Sequence, residues 1–308
     1  MIPISKWFAI TTLWLFVISP VYAYKIVVSI PPLASLARAI AGEQAEIDTI
    51  VDQAVSPHVY ALKPSDLRKM NQADVVFWIG PAYENFLEKA LKNCLAKVVG
   101  LLNLSSLKIH GLRHAEDGHL ISCPHGCAHD LDPLKRDGHI WLDPDNGIIM
   151  AQEIAHQLSI IDPLSKEIYA ARFKKFKQNI EKLKSNLQDL LTPYQSQGFL
   201  VFHDGYQYFE KVFGLKEGHV MSLIPDVSPS IKHMKDLRKL IKDKNVVILF
   251  AETQFSPRLM QVLADETHLK IGLLDPLGFS DHTYEELLTN LATSFSNGFK
   301  SLDQGTSS

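Results

Sequence analysis

The sequence predicts an α/β protein in which two α/β lobes with mainly parallel sheets are bridged by one long rigid α-helix. Three observations carry this expectation. Short β-branched runs alternate with helical stretches in a first block of the 308-residue chain, the order that builds a parallel sheet covered on both faces. A second block of the same kind starts near residue 199. Between them, 165–191 contains neither Gly nor Pro and sets Tyr169, Phe173, Phe176, Ile180, Leu183, Leu187 and Leu190 in steps of four and three, one continuous apolar stripe on a helix.

The elements follow in chain order. Lys6, the apolar run 7–18, the break at Ser19-Pro20 and the small-x-small Val21-Tyr22-Ala23 read as a cleaved export signal over 1–23. The run is shorter than the ~20 residues that cross a bilayer, so no stable membrane insertion is expected and the mature protein belongs in an oxidising compartment outside the cytoplasm. Residues 25–30 read as a buried strand ended by Pro31-Pro32, and 35–41 as a helix. A strand over 46–51, a loop to Pro57-His58, a helix over 64–71, a strand over 74–80 and a helix over 83–97 follow. In the second block, 199–203, 246–250 and 270–274 read as strands with helices between them. Asp162-Pro163 opens the linking helix and Thr192-Pro193 closes it. Its heptad-like period would also suit a coiled coil, but two sheets needing cover favour an internal strut about 40 Å long. The expected division is an N-terminal lobe over 24–161, the linking helix over 162–193 and a C-terminal lobe over 194–308.

Composition narrows the function. Apolar residues make up 46% and charged residues 21%, the balance of a folded protein. With 31 basic and 34 acidic side chains the net charge is −3, which gives nucleic-acid binding no electrostatic support. No phosphate-cradling Gly-x-x-x-x-Gly-Lys-Ser/Thr loop occurs, so any ATPase work belongs to another subunit. Histidine is the outlier: there are 13, and His110, His114, His119, His125, His129 and His139 fall in one short stretch. Ser105-Ser106-Leu107-Lys108 matches a Ser-x-x-Lys pattern that recurs by chance and is assigned no role.

Three histidines stand at expected turns or strand ends. His58 lies in Ser56-Pro57-His58-Val59-Tyr60, His139 begins the apolar run His139-Ile140-Trp141-Leu142, and His203 ends the strand over 199–203. Asp275 follows the strand over 270–274. Ligands collect at the carboxyl ends of parallel strands, and three neutral imidazoles with one oxygen make a tetrahedral Zn²⁺ set. No short spacing ties these residues together, so their convergence does not follow from spacing alone.

The motifs Ser56-Pro57-His58-Val59-Tyr60, Lys63-Pro64-Ser65-Asp66, His139-Ile140-Trp141-Leu142-Asp143-Pro144, His203-Asp204-Gly205-Tyr206, Ala251-Glu252-Thr253-Gln254-Phe255 and Leu274-Asp275-Pro276-Leu277-Gly278 occur in this order along the mature chain. The set resembles the metal-binding class of periplasmic solute-binding proteins, and within it the zinc-capturing component of high-affinity zinc ABC importers. That resemblance implies two lobes bridged by a long helix, and metal ligands at His58, His139 and His203. It implies Zn²⁺ as transported ligand rather than catalytic cofactor. It also implies a membrane permease and cytoplasmic ATPase subunits as partners, with the binding protein itself a monomer. Some zinc relatives carry a glutamate just before the first ligand, where this chain has Pro57. Manganese-type relatives usually carry a glutamate where this chain has His203, and imidazole favours zinc. Asp275 matches the aspartate that completes the site in several relatives; water is the alternative fourth donor. A manganese/iron-type binding protein of the same class is the alternative cargo reading.

The stretch 108–138 is polar, rich in Gly and Asp and without period, so it reads as a mobile excursion, similar to the His-rich insertion of zinc-type relatives. His110, His114, His119, His125 and His129 are expected to be weak accessory metal sites. Cys123 and Cys127 suit either a local disulfide or metal binding, and Cys94 reads as a buried, unpaired thiol on its helix. From a different class, an exported zinc hydrolase would also use three histidines with a bound water. It would need a general base, for which Glu252 is the candidate. The expectation is a transport protein and not an enzyme.

Overall fold

The computed structural model describes residues 24–51, 55–113, 135–221 and 230–303. The expected export signal, and the part of the His-rich stretch holding His114, His119, His125, His129, Cys123 and Cys127, lie outside these residues.

The first sheet forms from β1 (Tyr24–Val28), β2 (Ala45–Thr49), β3 (Val75–Trp78) and β4 (Lys97–Gly100), in the order β2-β1-β3-β4 and parallel throughout. Ile26, Val27 and Val28 are fully buried, as a central strand covered on both faces requires. α1 (Pro31–Ala41) starts four residues before the expected helix. The two prolines that end the strand also open the helix, because its first turn needs no intrahelical N–H donors. α2 (Pro64–Asn71) has the expected limits. The helix expected over 83–97 is cut short: α3 (Asn85–Leu91) stops early, a turn follows, and Lys97 opens the edge strand β4. Cys94 therefore sits in the turn between them, half-buried, with its thiol donating to the Met70 carbonyl at 3.4 Å.

The second sheet contains β5 (Gly198–Val201), β6 (His219–Val220), β7 (Val246–Glu252) and β8 (Lys270–Leu274), again parallel, in the order β6-β5-β7-β8. Its covering helices are α6 (Gln207–Phe213), α7 (Ile231–Asp243), α8 (Arg258–Thr267) and α9 (Tyr284–Asp303). Alternation along β5 divides the packing: Phe199 and Val201 join one apolar cluster, Leu200 and Phe202 the other.

Between the sheets lie α4 (Pro144–Ile161) and α5 (Lys166–Leu191). Asp143 caps α4 by accepting from the Asp145 N–H at 2.7 Å. α5 has 26 residues, about 39 Å at 1.5 Å each, and is the expected strut. Tyr169, Phe176, Ile180, Leu187 and Leu191 on its stripe are buried, and it packs on α1 and α4 on one side and on α6 and α9 on the other. The apolar cluster these contacts create runs without a break from β1 and β3 through α5 to Phe199, Phe250 and Phe295. The two lobes thus share one core.

Candidate metal centre

His203 follows β5 by two residues, and Glu252 is the last residue of β7. From β5 the sheet extends to β6 on one side and to β7 on the other, so both residues stand at the crevice where the strand order reverses. His58 and His139 reach the same place differently. His58 lies on a 3₁₀ turn (Pro57–Val59), and His139 immediately precedes another (Ile140–Leu142), so neither ends a strand.

The structure brings the three histidines together. One nitrogen from each lies within 4.8 Å of the others, and among the described residues this is the sole such cluster of metal-ligating side chains. Ring centroids are 5.5 Å apart for His58 and His139, 5.6 Å for His58 and His203, and 5.2 Å for His139 and His203. His139 and His203 are buried, whereas His58 is exposed.

Two carboxylates fix the buried rings. Asp137 Oδ1 accepts from the His139 backbone N–H at 3.0 Å and from its Nδ1 at 2.7 Å. Glu252 Oε1 accepts from the His203 backbone N–H at 3.0 Å and from its Nδ1 at 2.8 Å. An Nδ1 that faces a carboxylate carries the proton, which leaves Nε2 as the lone-pair nitrogen. The two Nε2 atoms face each other at 3.2 Å. Zn–N bonds of 2.0–2.1 Å put tetrahedral ligand atoms about 3.3–3.4 Å apart, so this separation suits two ligands of one ion. Two facing lone pairs repel unless a cation, or a proton carried by one of the rings, lies between them.

Electrostatics divides the three rings. Although His58 as a residue is exposed, its ring is packed among Tyr83, His139 and His203. That desolvation, with the charge of the two neighbouring histidines, pulls the imidazole well below its ordinary value. Burial alone would lower His203, but the Glu252 carboxylate outweighs it and the imidazole is raised. Burial likewise opposes ionisation of Asp137, yet His139 and its hydrogen bonds hold that carboxyl below the usual range.

Gly205 is a steric requirement of the site. A Cβ there would stand 2.6 Å from His203 Nε2 and 3.3 Å from His139 Nε2, inside the space an ion needs. Tyr83 packs its ring 5.0 Å from both His58 and His139. A small cavity of about 10 Å³, lined by His58, Tyr83, His203, Gln254 and Phe255 among others, opens beside the rings. A pocket so small suits an ion or one water, not an organic substrate.

The other expected residues among those described stand outside the three-histidine cluster. Asp275 Oδ1 accepts from Gln254 Nε2 at 2.8 Å and from the N–H groups of Leu277 and Gly278 at 3.1 and 3.0 Å, and Asp275 is not in the histidine cluster. His110 is not on an open excursion. Its N–H donates to the Tyr208 hydroxyl at 3.1 Å, its ring lies 4.7 Å from that of Tyr208, and burial, with Lys211 nearby, pushes its imidazole down to about 4. Glu252, the candidate general base, faces Nδ1 of His203, the ring nitrogen turned away from the cluster. Asp137 and Gly205 were not expected; the Asp137-Gly138-His139 triplet was the available signal for the first.

Comparison with known proteins gives a consistent set of likenesses. The family model ZnuA, zinc-uptake complex component A, periplasmic, matches residues 26–298. The high-affinity zinc uptake system protein ZnuA of Brucella abortus is 33% identical over 301 residues, covering 87% of this chain and 90% of the relative. A crystal structure of ZnuA, 27% identical, superposes with a TM-score of 0.76 over 90% of this chain and 99% of the other. A ZnuA deletion mutant with bound zinc, 28% identical, gives 0.74 over 90% and 98%.

Proposed function

The chain belongs to the family of the periplasmic zinc-uptake complex component A, and from that premise we propose that it captures Zn²⁺ between its lobes through His58, His139 and His203 and delivers it to the membrane permease of an ABC importer. A cytoplasmic ATPase subunit drives the transport. The binding protein is a monomer, exported to the periplasm with cleavage of residues 1–23. Zinc is cargo, and the chemistry is coordination: three unprotonated imidazoles replace part of the ion's water shell. The fourth donor is Asp275 or water: Asp275 Oδ1 accepts three hydrogen bonds, which leaves its second oxygen as the one that can reach an ion. His114, His119, His125 and His129 hold zinc weakly and raise its concentration near the cleft. Glu252, bonded to His203 Nδ1, serves imidazole orientation and not hydrolysis. Release follows when the permease biases a lobe movement that withdraws one ligand.

The observation that carries this reading is the pair of facing Nε2 atoms at 3.2 Å, each on a ring whose other nitrogen is held by a carboxylate. Elemental analysis and competition titration test it. The intact mature chain should hold one tight zinc, His58→Ala, His139→Ala and His203→Ala should each lose it, and deletion of 114–134 should retain it. Unchanged stoichiometry in all three point variants would defeat the assignment.

A further inference from the structure

α5 joins the lobes along one side of the cleft; a second connection joins them beside the metal centre. The described feet of the His-rich excursion form a short stem. Gly111 and Arg136 make an antiparallel bridge, the Leu112 N–H donates to the Lys135 carbonyl at 3.0 Å, and the Asp137 N–H donates to the His110 carbonyl at 2.8 Å. The stem belongs to the N-terminal lobe and runs directly into Asp137 and His139.

The C-terminal lobe grips it through four residues of the segment 204–210: Asp204, Gln207, Tyr208 and Glu210. Arg113, 6% exposed, donates through Nε at 2.8 Å and through Nη2 to Asp204 Oδ1, and through Nη1 to Glu210 Oε2. Gln207 Nε2 donates to the Gly111 carbonyl at 3.0 Å and to Asp137 Oδ2 at 3.1 Å. Its amide is oriented by Lys211, which donates to Oε1 at 2.8 Å. The Tyr208 hydroxyl donates to the Asp137 carbonyl at 2.8 Å. Asp204 is the residue after His203, and Asp137 orients His139. The contacts to Asp204 and to Asp137 therefore end next to proposed ligands.

From this arrangement we propose that Arg113 is a positioning residue, an interlobe latch that holds the His203 loop against the His139 stem and sets how fast zinc leaves. The proposal rests on the zinc-capture reading above. Moving His203 away from His139 by opening the lobes requires the Arg113 guanidinium to part from Asp204 and Glu210. Opening breaks all three of these charge-assisted hydrogen bonds, so the latch opposes opening. Changes that weaken a closed state act mainly on the off-rate.

The test follows zinc transfer from the full mature chain to an excess of chelator by stopped flow, with the Co²⁺-loaded absorption spectrum reporting the ligand set. Arg113→Met should release zinc at least about tenfold faster while keeping one zinc per chain and an unchanged Co²⁺ spectrum. Arg113→Lys, which keeps the charge but loses the fork, should fall between it and the parent. Glu210→Gln removes one partner and leaves Asp204 in place, and serves if Arg113→Met does not fold; it should also speed release. A release rate within about twofold of the parent in the folded Arg113→Met chain, or in Glu210→Gln if that chain is lost, overturns the latch even if the melting temperature falls. A parent chain without a tight zinc would defeat the capture reading instead, so the two failures are distinct.

Discussion

His139 and His203 each give one ring nitrogen to a carboxylate and turn the other toward the shared centre. Such outer partners fix ring orientation and raise ligand basicity, and their loss commonly costs 10–100-fold in metal affinity. Asp137→Asn keeps an oxygen that can accept from Nδ1 but removes the charge. It should weaken zinc binding by about tenfold or more in competition titration while the chain still holds one zinc per molecule; an unchanged affinity would mean that the backbone alone sets the His139 ring. The two carboxylates differ in legibility. Asp137 stands two residues from its histidine, within reach of a local reading. Glu252 is 49 residues from His203 along the chain, and meets it only because β5 and β7 are neighbours in the sheet.

Elements decide where these residues are carried. The turn before α3 presents Tyr83 to the histidines, and Glu84 beside it ties that turn to the ends of β1 and β3. The Glu84 carboxylate accepts from the Ser29 hydroxyl, from the Gly80 N–H at 3.0 Å and from the Ile79 N–H at 3.3 Å. Burial nevertheless pushes its carboxyl up to about 7, above the unfolded value near 4.3. Between these values the folded chain holds a proton that the unfolded chain has lost. The contribution to stability is complete below the unfolded pKa and disappears as pH rises through about 7. Gln cannot titrate, so Glu84→Gln should gain stability relative to the parent between about pH 5 and about pH 8, by up to roughly 3 kcal/mol. Urea unfolding of the metal-free proteins at both pH values measures this, and a constant difference would count against a raised carboxyl. Among the elements, α5 was legible because 26 residues repeat the same apolar spacing many times. β4 and β6 were not, since strands of four and two residues at sheet edges are too short to display a period.

At the scale of the whole molecule, the histidine cluster takes His58 and His139 from one lobe and His203 from the other, over a core shared by both. An ion bound across that seam stabilises the assembled state and has no equivalent site in the unfolded chain. Linkage gives about 4 kcal/mol at a thousandfold excess over Kd. Saturating zinc should therefore raise the melting temperature by several degrees in the parent chain and have little effect on His203→Ala. An equal shift in both proteins would mean that zinc acts outside the histidine cluster.

The sequence by itself determined the two parallel α/β blocks and the helix between them, and its motifs singled out the three histidines. Each of these is written in local period, in turn residues or in short motifs whose chemistry does not depend on distant contacts. Only the tertiary structure decided that the histidines converge, that Glu252 supports a ring, that Asp275 is held by Gln254 and two backbone N–H groups, and that Arg113 joins the lobes. Those facts depend on strand order and on how two sheets pack about α5, and distances set by packing between remote segments leave no trace in the spacing of residues along the chain.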